Sequence, residues 1–148
     1  MEPEELDIEI LVKSPLWEGH REILARALAA AAEAEQKRGE VSLLLGCDAD
    51  VAKLNKEFRG KDGPTNVLSF PGPKVEPAFL GDIALAAETI AAEAEFQGKR
   101  FDHHAAHLVV HGFLHLLGYD HQNPADADIM EGRERAVLMS IGIEDPYA

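Results

Sequence analysis

The chain has 148 residues, which is the length of a single domain with a substantial hydrophobic core. Its 14 Lys and Arg against 27 Asp and Glu give a net charge of −13. This charge excludes broad, non-specific binding to nucleic acid, which requires a basic surface. No apolar run reaches the roughly 18 residues that cross a membrane. Because Cys47 is alone and residues 1–5 are acidic, unlike a signal peptide, we expect a cytoplasmic protein without disulfides.

Hydrophobic periodicity divides the chain into alternating strands and helices. Alternating apolar residues predict four strands, at 6–12, 41–45, 66–70 and 80–85. Segments rich in Ala, Leu and Glu predict helices at 17–37, 48–58, 86–96 and 125–140, and a histidine-rich helix begins near residue 101. Asp48 is the predicted N-cap of the second helix, and the prolines of 71–77 predict a flexible loop. We expect one α+β domain over 1–148, with helices packed on a four-stranded mixed sheet and the histidine helix at its centre.

Six of the seven histidines lie between residues 101 and 121. His111 and His115 are four residues apart, so on a helix their rings lie on one face, one turn apart, where they can bind one metal ion. Gly118 can adopt the left-handed conformation that ends helices, which allows His121 to return as a third ligand. Three histidines leave the fourth tetrahedral position open, as in catalytic zinc sites. We therefore predict one Zn²⁺ per chain, bound by His111, His115 and His121.

The other histidines of this helix have different directions around its axis. Each step of four residues drifts by about 40°, so His103 lies about 120° from His115 and cannot share its metal. His107 lies between them and can either orient a ligand or face a substrate. The rest of the helix is apolar almost all round, which predicts that it is buried. The alternative to metal binding is a set of core histidines that only form hydrogen bonds.

The string HGFLHLLGYDH, residues 111–121, resembles the signature of the YbeY family of metal-dependent endoribonucleases. Its spacing is that of the extended zincin motif HExxHxxGxxH, with Gly112 in place of the glutamate. Three further segments resemble the same family, at 54–59, 65–71 and 81–83. Together these motifs cover most of residues 54–121.

The resemblance implies a zincin-like α+β fold and a zinc-dependent endoribonuclease specific for single-stranded RNA. It implies a role in 16S rRNA 3′-end maturation and ribosome quality control. The implied partners are rRNA, the small ribosomal subunit and its assembly factors, with no membrane. Arg59 matches an arginine that the family uses at its active site. The family usually has Asp where this chain has Asn66, which keeps a hydrogen-bonding oxygen and loses the charge.

Arg59 belongs to a local concentration of positive charge in an otherwise acidic chain. Lys53, Lys56, Arg59 and Lys61 fall within nine residues, and the first three are spaced to share one face of a helix. Such a patch can contact an RNA backbone. The alternative is a solvated helix face whose cations pair with neighbouring acidic residues.

The chemistry of this site depends on which group takes a proton. Zinc lowers the pKa of bound water and polarises a phosphoryl oxygen, and an arginine can neutralise charge that develops on a phosphate. HExxH peptidases use the glutamate as base, so a peptidase with Gly112 needs another one. Asp120 can act as a base for RNA cleavage, orient a histidine or hold the turn, and Tyr119, Ser69 and Asp82 are predicted to have structural roles. Two alternatives remain: a zinc hydrolase acting on peptides, and a ribosome-associated binding protein with a structural metal.

Overall fold

A computed structural model describes residues 6–73 and 78–148 of the chain. A 3₁₀ turn, Pro15–Trp17, follows the first strand. The strands and longer helices of these residues are, in chain order, β1 (Leu6–Val12), α1 (Arg21–Ala34), β2 (Gly39–Gly46), α2 (Asp48–Arg59), β3 (Val67–Pro71), β4 (Phe79–Ala86), α3 (Ala87–Gln97), α4 (Phe101–Leu116) and α5 (Pro124–Ser140).

The strands form one four-stranded sheet in the order β1-β2-β4-β3. β1 pairs with β2, and β2 with β4, in parallel. β3 runs antiparallel to β4 and forms an edge of the sheet. The predicted α+β fold with a four-stranded mixed sheet is therefore confirmed.

Helices cover the two faces of this sheet unequally. The main core contains α1, α4 and the side chains of β2 that alternate toward them, such as Leu43 and Leu45. Phe113 of α4 is fully buried in this core, which confirms the prediction of a buried histidine helix. The opposite face carries α2, whose Val51 packs with Ala84 in a smaller apolar cluster.

The helix predicted at 17–37 is wrong at both ends, since α1 spans only Arg21–Ala34. Trp17 belongs to the preceding 3₁₀ turn, where its buried indole N–H donates to the Gly46 carbonyl at 2.9 Å. Gly19 has a φ of +82°, a left-handed conformation that separates this turn from the helix. Gln36 has a φ of +56° just beyond the other end. These tertiary and turn contacts override the helical propensity of the flanking residues.

The predicted N-cap of α2 is wrong by one residue, because Cys47 occupies that position. The Asp50 carboxylate accepts the Cys47 backbone N–H at 3.0 Å. Asp48 instead accepts the backbone N–H and the hydroxyl of Thr89, both at 2.9 Å, at the start of α3. The other predicted bounds lie within two residues of the observed ones. Residues 74–77 of the predicted flexible loop lie outside the described part of the chain.

The contact between α4 and β3 fixes where the histidines lie. The hydroxyl of Ser69 in β3 donates to the Gly112 carbonyl at 2.9 Å. A Cβ at residue 112 would lie 2.9 Å from Ser69 Oγ and 3.2 Å from methyl groups of Val67 and Ile83. Gly112 therefore allows α4 to lie directly on the sheet, and the face of the helix that contains Gly112 packs against β3 and β4. The adjacent position, His111, is directed toward α5 instead, where it meets Glu134.

Candidate metal centre

His111, His115 and His121 come together at the C-terminal end of α4. One ring nitrogen from each lies within 4.8 Å of the others. Gly118 has a φ of +102°, as expected for the residue that ends this helix, and its N–H donates to the His115 carbonyl at 3.0 Å. The chain then returns, so that the His121 ring centroid lies 5.3 Å from that of His111 and 5.1 Å from that of His115.

Hydrogen bonds fix the tautomers of two of these rings. His115 Nδ1 lies 2.9 Å from the Tyr119 carbonyl oxygen, and His111 Nδ1 lies 2.8 Å from a carboxylate oxygen of Glu134. A carbonyl and an ionised carboxylate only accept, so each Nδ1 carries the proton and each Nε2 presents a lone pair.

The two Nε2 atoms are only 3.0 Å apart. Two lone pairs at this distance repel each other unless a cation lies between them. Tetrahedral zinc with Zn–N bonds of about 2.0–2.1 Å separates its ligand atoms by about 3.3 Å. The donor set therefore fits a metal ion of this kind.

The electrostatic environment keeps His115 in the form that binds metals. Burial lowers the pKa of His115, and repulsion from charge on His111 and His121 lowers it further, against the raising effect of the bond to Tyr119. Metal binding requires neutral imidazole. A lowered pKa extends the range of pH in which that form is present.

Glu134 of α5 contacts the triad, and it is not among the residues that the sequence predicts for the site. It is fully buried, and it accepts from His107 Nε2 at 2.6 Å, the Tyr147 hydroxyl at 2.6 Å and His111 Nδ1 at 2.8 Å. Burial alone raises the pKa of Glu134, but the hydrogen bonds from His107, His111 and Tyr147 outweigh it and lower the pKa to about 2. Glu134 is therefore an ionised acceptor that orients His111.

A sequence signal for Glu134 was available. It lies on the apolar stripe of α5 with Met130, Val137 and Leu138, all buried. A carboxylate at a buried helical position requires partners. The partner Tyr147 remains neutral, because burial and the adjacent carboxylate both raise its pKa.

The remaining histidines have roles outside the triad. His107 shares the Glu134 carboxylate with His111, which supports the orienting role among the two that were predicted for it. His104 is buried and its Nε2 lies 2.9 Å from Glu93. Asn66 donates to the same Glu93 carboxylate at 3.1 Å. The structure therefore places Asn66 in a separate polar cluster with Glu93 and His104.

The turn after α4 is held by hydrogen bonds of two of its residues. Asp120 accepts the backbone N–H of His121 at 2.7 Å and so holds the turn between two of the histidines. The Tyr119 hydroxyl donates to Glu35 at 2.6 Å. Asp82 lies on β4 beside the buried Ile83 and is exposed on the opposite face of the sheet.

Arg59 is the last residue of α2, and its side chain is exposed. α2 is anchored to the edge strand by the rings of Phe58 and Phe70, whose centroids are 5.6 Å apart. The neighbouring Ser69 binds α4 on the other face. α2, which ends at Arg59, and α4, which carries two of the three histidines, therefore pack beside β3 on opposite faces of the sheet. Within residues 6–73 and 78–148, the cations predicted to share its patch form no ion pair: Lys53, Lys56 and Lys61.

A cavity of about 220 Å³ opens beside the triad, between α4 and α5. We call it the α4–α5 cleft. Its walls are formed by His111, His121, Ala127, Met130, Glu131, Glu134 and Tyr147. A small molecule or part of a larger substrate can therefore reach His111 and His121 from this side.

These observations define an α+β protein with a three-histidine site, able to hold a metal ion, at the end of a buried helix. The chain matches the family model "Endoribonuclease YbeY" over residues 9–142, and it belongs to this family. No helix in the described part of the chain is long and apolar enough to span a membrane.

Relatives of known name cover nearly the whole chain. The protein named endoribonuclease YbeY from Rhizobium johnstonii is 48% identical, over 97% of this chain and 94% of its own length. The protein of the same name from Rhodopseudomonas palustris strain HaA2 is 45% identical, over 95% of this chain and 80% of its own. Among solved structures, the solution structure of a Thermotoga maritima protein has a TM-score of 0.58 and 27% identity, covering 90% of this chain and 91% of that one.

Proposed function

We propose that this chain is a zinc-dependent endoribonuclease that cuts single-stranded RNA, with roles in 16S rRNA 3′-end maturation and ribosome quality control. Membership of an endoribonuclease family supports the reaction class. The observation that carries the metal dependence is the pair of Nε2 lone pairs 3.0 Å apart, with His121 beside them. The proposed partners are rRNA, the small ribosomal subunit and its assembly factors, in the cytoplasm.

His111, His115 and His121 would hold the zinc ion. A zinc ion bound there would lower the pKa of a water molecule and polarise a phosphoryl oxygen. Glu134 would keep the His111 ring in place, and the Tyr119 carbonyl would do the same for His115. A ligand set of three histidines leaves a position free for water or substrate, which favours a catalytic over a structural metal.

Arg59 is the proposed phosphate-binding residue. A guanidinium can make two parallel hydrogen bonds to a phosphate and so neutralise the charge that develops on its oxygens. The match of residues 54–59 to the family supports this role, and we propose that a strand of RNA passing the edge of β3 contacts both Arg59 and the triad. The acidic surface elsewhere would confine RNA binding to this part of the molecule.

The function is tested by measuring zinc content and RNA cleavage on the same preparations. Wild-type protein is compared with His115→Ala, and with His103→Ala as a control that removes a histidine of the same helix outside the triad. The RNA is one end-labelled sequence, offered single-stranded and as a duplex. We expect about one zinc per chain and cleavage of the single strand for wild type and His103→Ala. His115→Ala should lose both.

Two results would contradict the proposal. One is wild-type protein, purified without chelator, that contains no bound metal. The other is His115→Ala protein that cuts RNA as fast as wild type. A zinc-loaded wild-type protein that leaves RNA intact and hydrolyses peptides would support the peptide hydrolase instead.

A further inference from the structure

The position that supplies the base in HExxH proteins cannot supply one here. Residue 112 faces the sheet, where even a Cβ would lie 2.9 Å from Ser69 Oγ and 3.2 Å from methyl groups of Val67 and Ile83. No side chain on that face of α4 can reach the triad. If a carboxylate takes a proton in this site, another element must provide it.

Two other carboxylates near the triad, those of Glu134 and Asp120, already accept hydrogen bonds that hold the structure. Glu134 is fully buried and its two oxygens already receive three hydrogen bonds, so it does not face a water molecule in the cleft as a free acceptor. Asp120 accepts the backbone N–H of His121 in the turn and does not line the α4–α5 cleft. Neither fits the role of a base.

Glu131 both lines the cleft and has capacity to accept a proton, which Glu134 and Asp120 do not combine. It lies on α5 nearly one turn before Glu134, and it lines the α4–α5 cleft together with His111 and His121. Its carboxylate has an ion pair with Arg135 at 3.8 Å, which is too long for a hydrogen bond. Arg135 itself is held by Asp145, with Nε 3.2 Å from the carboxylate oxygen. Glu131 thus lines the cleft and has a carboxylate with accepting capacity.

We propose that Glu131 is the general base of RNA cleavage, an inference that rests on the proposed function. Glu131 takes one proton from a water molecule in the cleft. The oxygen of that water forms a bond to phosphorus, and the bond from phosphorus to the leaving ribose oxygen breaks with its electron pair. The leaving oxygen takes a proton from solvent. The products are one RNA fragment that ends in a hydroxyl group and one that ends in a phosphate.

The test compares Glu131→Gln with Asp128→Asn. Asp128 is exposed on the same helix and does not line the cleft, so its substitution removes the same charge without touching the site. For both variants and wild type, kcat and KM on single-stranded RNA are measured across pH, with zinc content and unfolding temperature alongside. We expect Glu131→Gln to lower kcat by about 10²–10⁴-fold. Zinc content, unfolding temperature and KM should stay near wild type.

A second variant separates proton transfer from shape. Glu131→Ala leaves room for a small carboxylate, so added formate should restore part of its kcat and have no such effect on Asp128→Asn. Wild-type kcat in Glu131→Gln would overturn the inference and leave the proposed function intact. Loss of zinc together with kcat would also overturn it, because Glu131 would then support the metal site. Zinc-loaded wild-type protein that does not cut RNA overturns the proposed function and, with it, this inference.

Discussion

Glu134 shows how one buried side chain can organise this site. A carboxylate without partners is costly to bury, and this one is stabilised by three donors from α4 and the C-terminal segment. The same bonds determine which nitrogen of His111 faces the other histidines. Stability of the fold and preparation of the metal site therefore depend on the same atoms.

We predict that Glu134→Gln weakens zinc binding by about 10–100-fold, the usual effect of removing a group that orients a metal ligand. Glutamine keeps one acceptor oxygen but has an N–H₂ donor in place of the other. It therefore cannot accept all the hydrogen bonds that the carboxylate accepts, and His111 loses its fixed orientation. Competition with a chromophoric chelator measures the affinity, and circular dichroism checks the fold. Glu144→Gln, at an exposed position, is the control. Equal zinc affinity in wild type and Glu134→Gln would show that Glu134 does not orient the ligand.

Gly112 and Gly132 give a matched pair of helical glycines with opposite expected effects. Alanine at 132 meets nothing within 4 Å and gains helix propensity, so it should stabilise the protein by about 0.5–1 kcal/mol. Alanine at 112 meets Ser69 Oγ at 2.9 Å, which should outweigh the propensity gain and destabilise by about 1–3 kcal/mol. Urea unfolding of both variants measures the difference. Stabilisation by Gly112→Ala would mean that α4 does not press on β3 at this point.

The triad and its supporting carboxylate differ in how far they could be predicted from sequence. His111, His115 and Gly118 are neighbours on one helix, so their spacing alone indicates a common site. Glu134 lies 23 residues beyond His111, and its contact depends on how α5 packs against α4. Local periodicity carries no information on that packing, although a glutamate in an apolar stripe marks the residue as unusual.

At the scale of elements, α2 begins with a contact that ties its first turn to the end of β2. The backbone N–H of Cys47 would otherwise lack a partner at the helix terminus, and Asp50 accepts it at 3.0 Å. The hydrogen bond from this N–H is the main cause of the lowered pKa of Asp50, followed by the bond from the Cys47 thiol. The stabilising form is therefore the ionised carboxylate.

We predict that Asp50→Ala lowers the free energy of unfolding by about 1 kcal/mol at pH 7, the usual cost of a lost cap. Because the folded pKa of Asp50 lies below 3.8, this contribution is complete above that pH and is lost as the pH falls through the folded pKa. In urea titrations of both proteins from pH 7 downward, the difference in unfolding free energy should therefore begin to shrink as the pH falls below 3.8. Glu57→Ala, exposed on the same helix, is the control. A difference that grows as the pH falls below 3.8 would exclude the ionised carboxylate as its source.

The bounds of the strands and helices show which local sequence patterns were sufficient to predict them. The strands were predicted to within two residues, because alternating apolar and polar residues are typical of a half-buried strand. The first helix was extended to Trp17, since Trp, Leu and Glu are compatible with a helix in any local window. Only the long-range bond from the Trp17 indole to Gly46 and the left-handed Gly19 distinguish the turn. The sheet order also depends on long-range pairing, which the sequence pattern does not encode.

For the whole molecule, we expect metal binding at the triad to be coupled to the stability of the fold. α4 runs through the core, and the triad joins its end to the turn at Gly118 and to α5 through Glu134. A ligand that binds only the folded state adds RT ln(1 + [L]/Kd) to stability. We predict that EDTA lowers the unfolding temperature of zinc-loaded protein and that added zinc restores it.

Differential scanning calorimetry with elemental analysis measures this effect, and His115→Ala is the matched control because its unfolding temperature should not respond to EDTA. An unchanged wild-type transition after confirmed loss of metal would show that the core is stable without it.

The charge distribution of the whole chain leads to the last prediction. Binding of single-stranded RNA depends on salt with a slope of about −0.7 per neutralised phosphate. A chain with a net charge of −13 offers few such contacts, so we expect a shallow slope, near −2 for about three of them. Arg59→Ala should make the slope shallower by about 0.7 and weaken binding at low salt. Arg59→Lys should restore the slope and only part of the cleavage rate, because lysine cannot form the forked contact with phosphate.

The control is Arg26→Ala, which removes one positive charge from an exposed position on α1, the helix on the other face of the sheet from α2. Both variants change the net charge by the same amount, so only a local contact can make their slopes differ. Fluorescence anisotropy at times short compared with cleavage gives the binding constants between about 50 and 200 mM salt. Equal slopes for the two variants would mean that Arg59 acts only through overall charge. RNA would then have to approach the triad from the α4–α5 cleft alone, without passing the edge of β3.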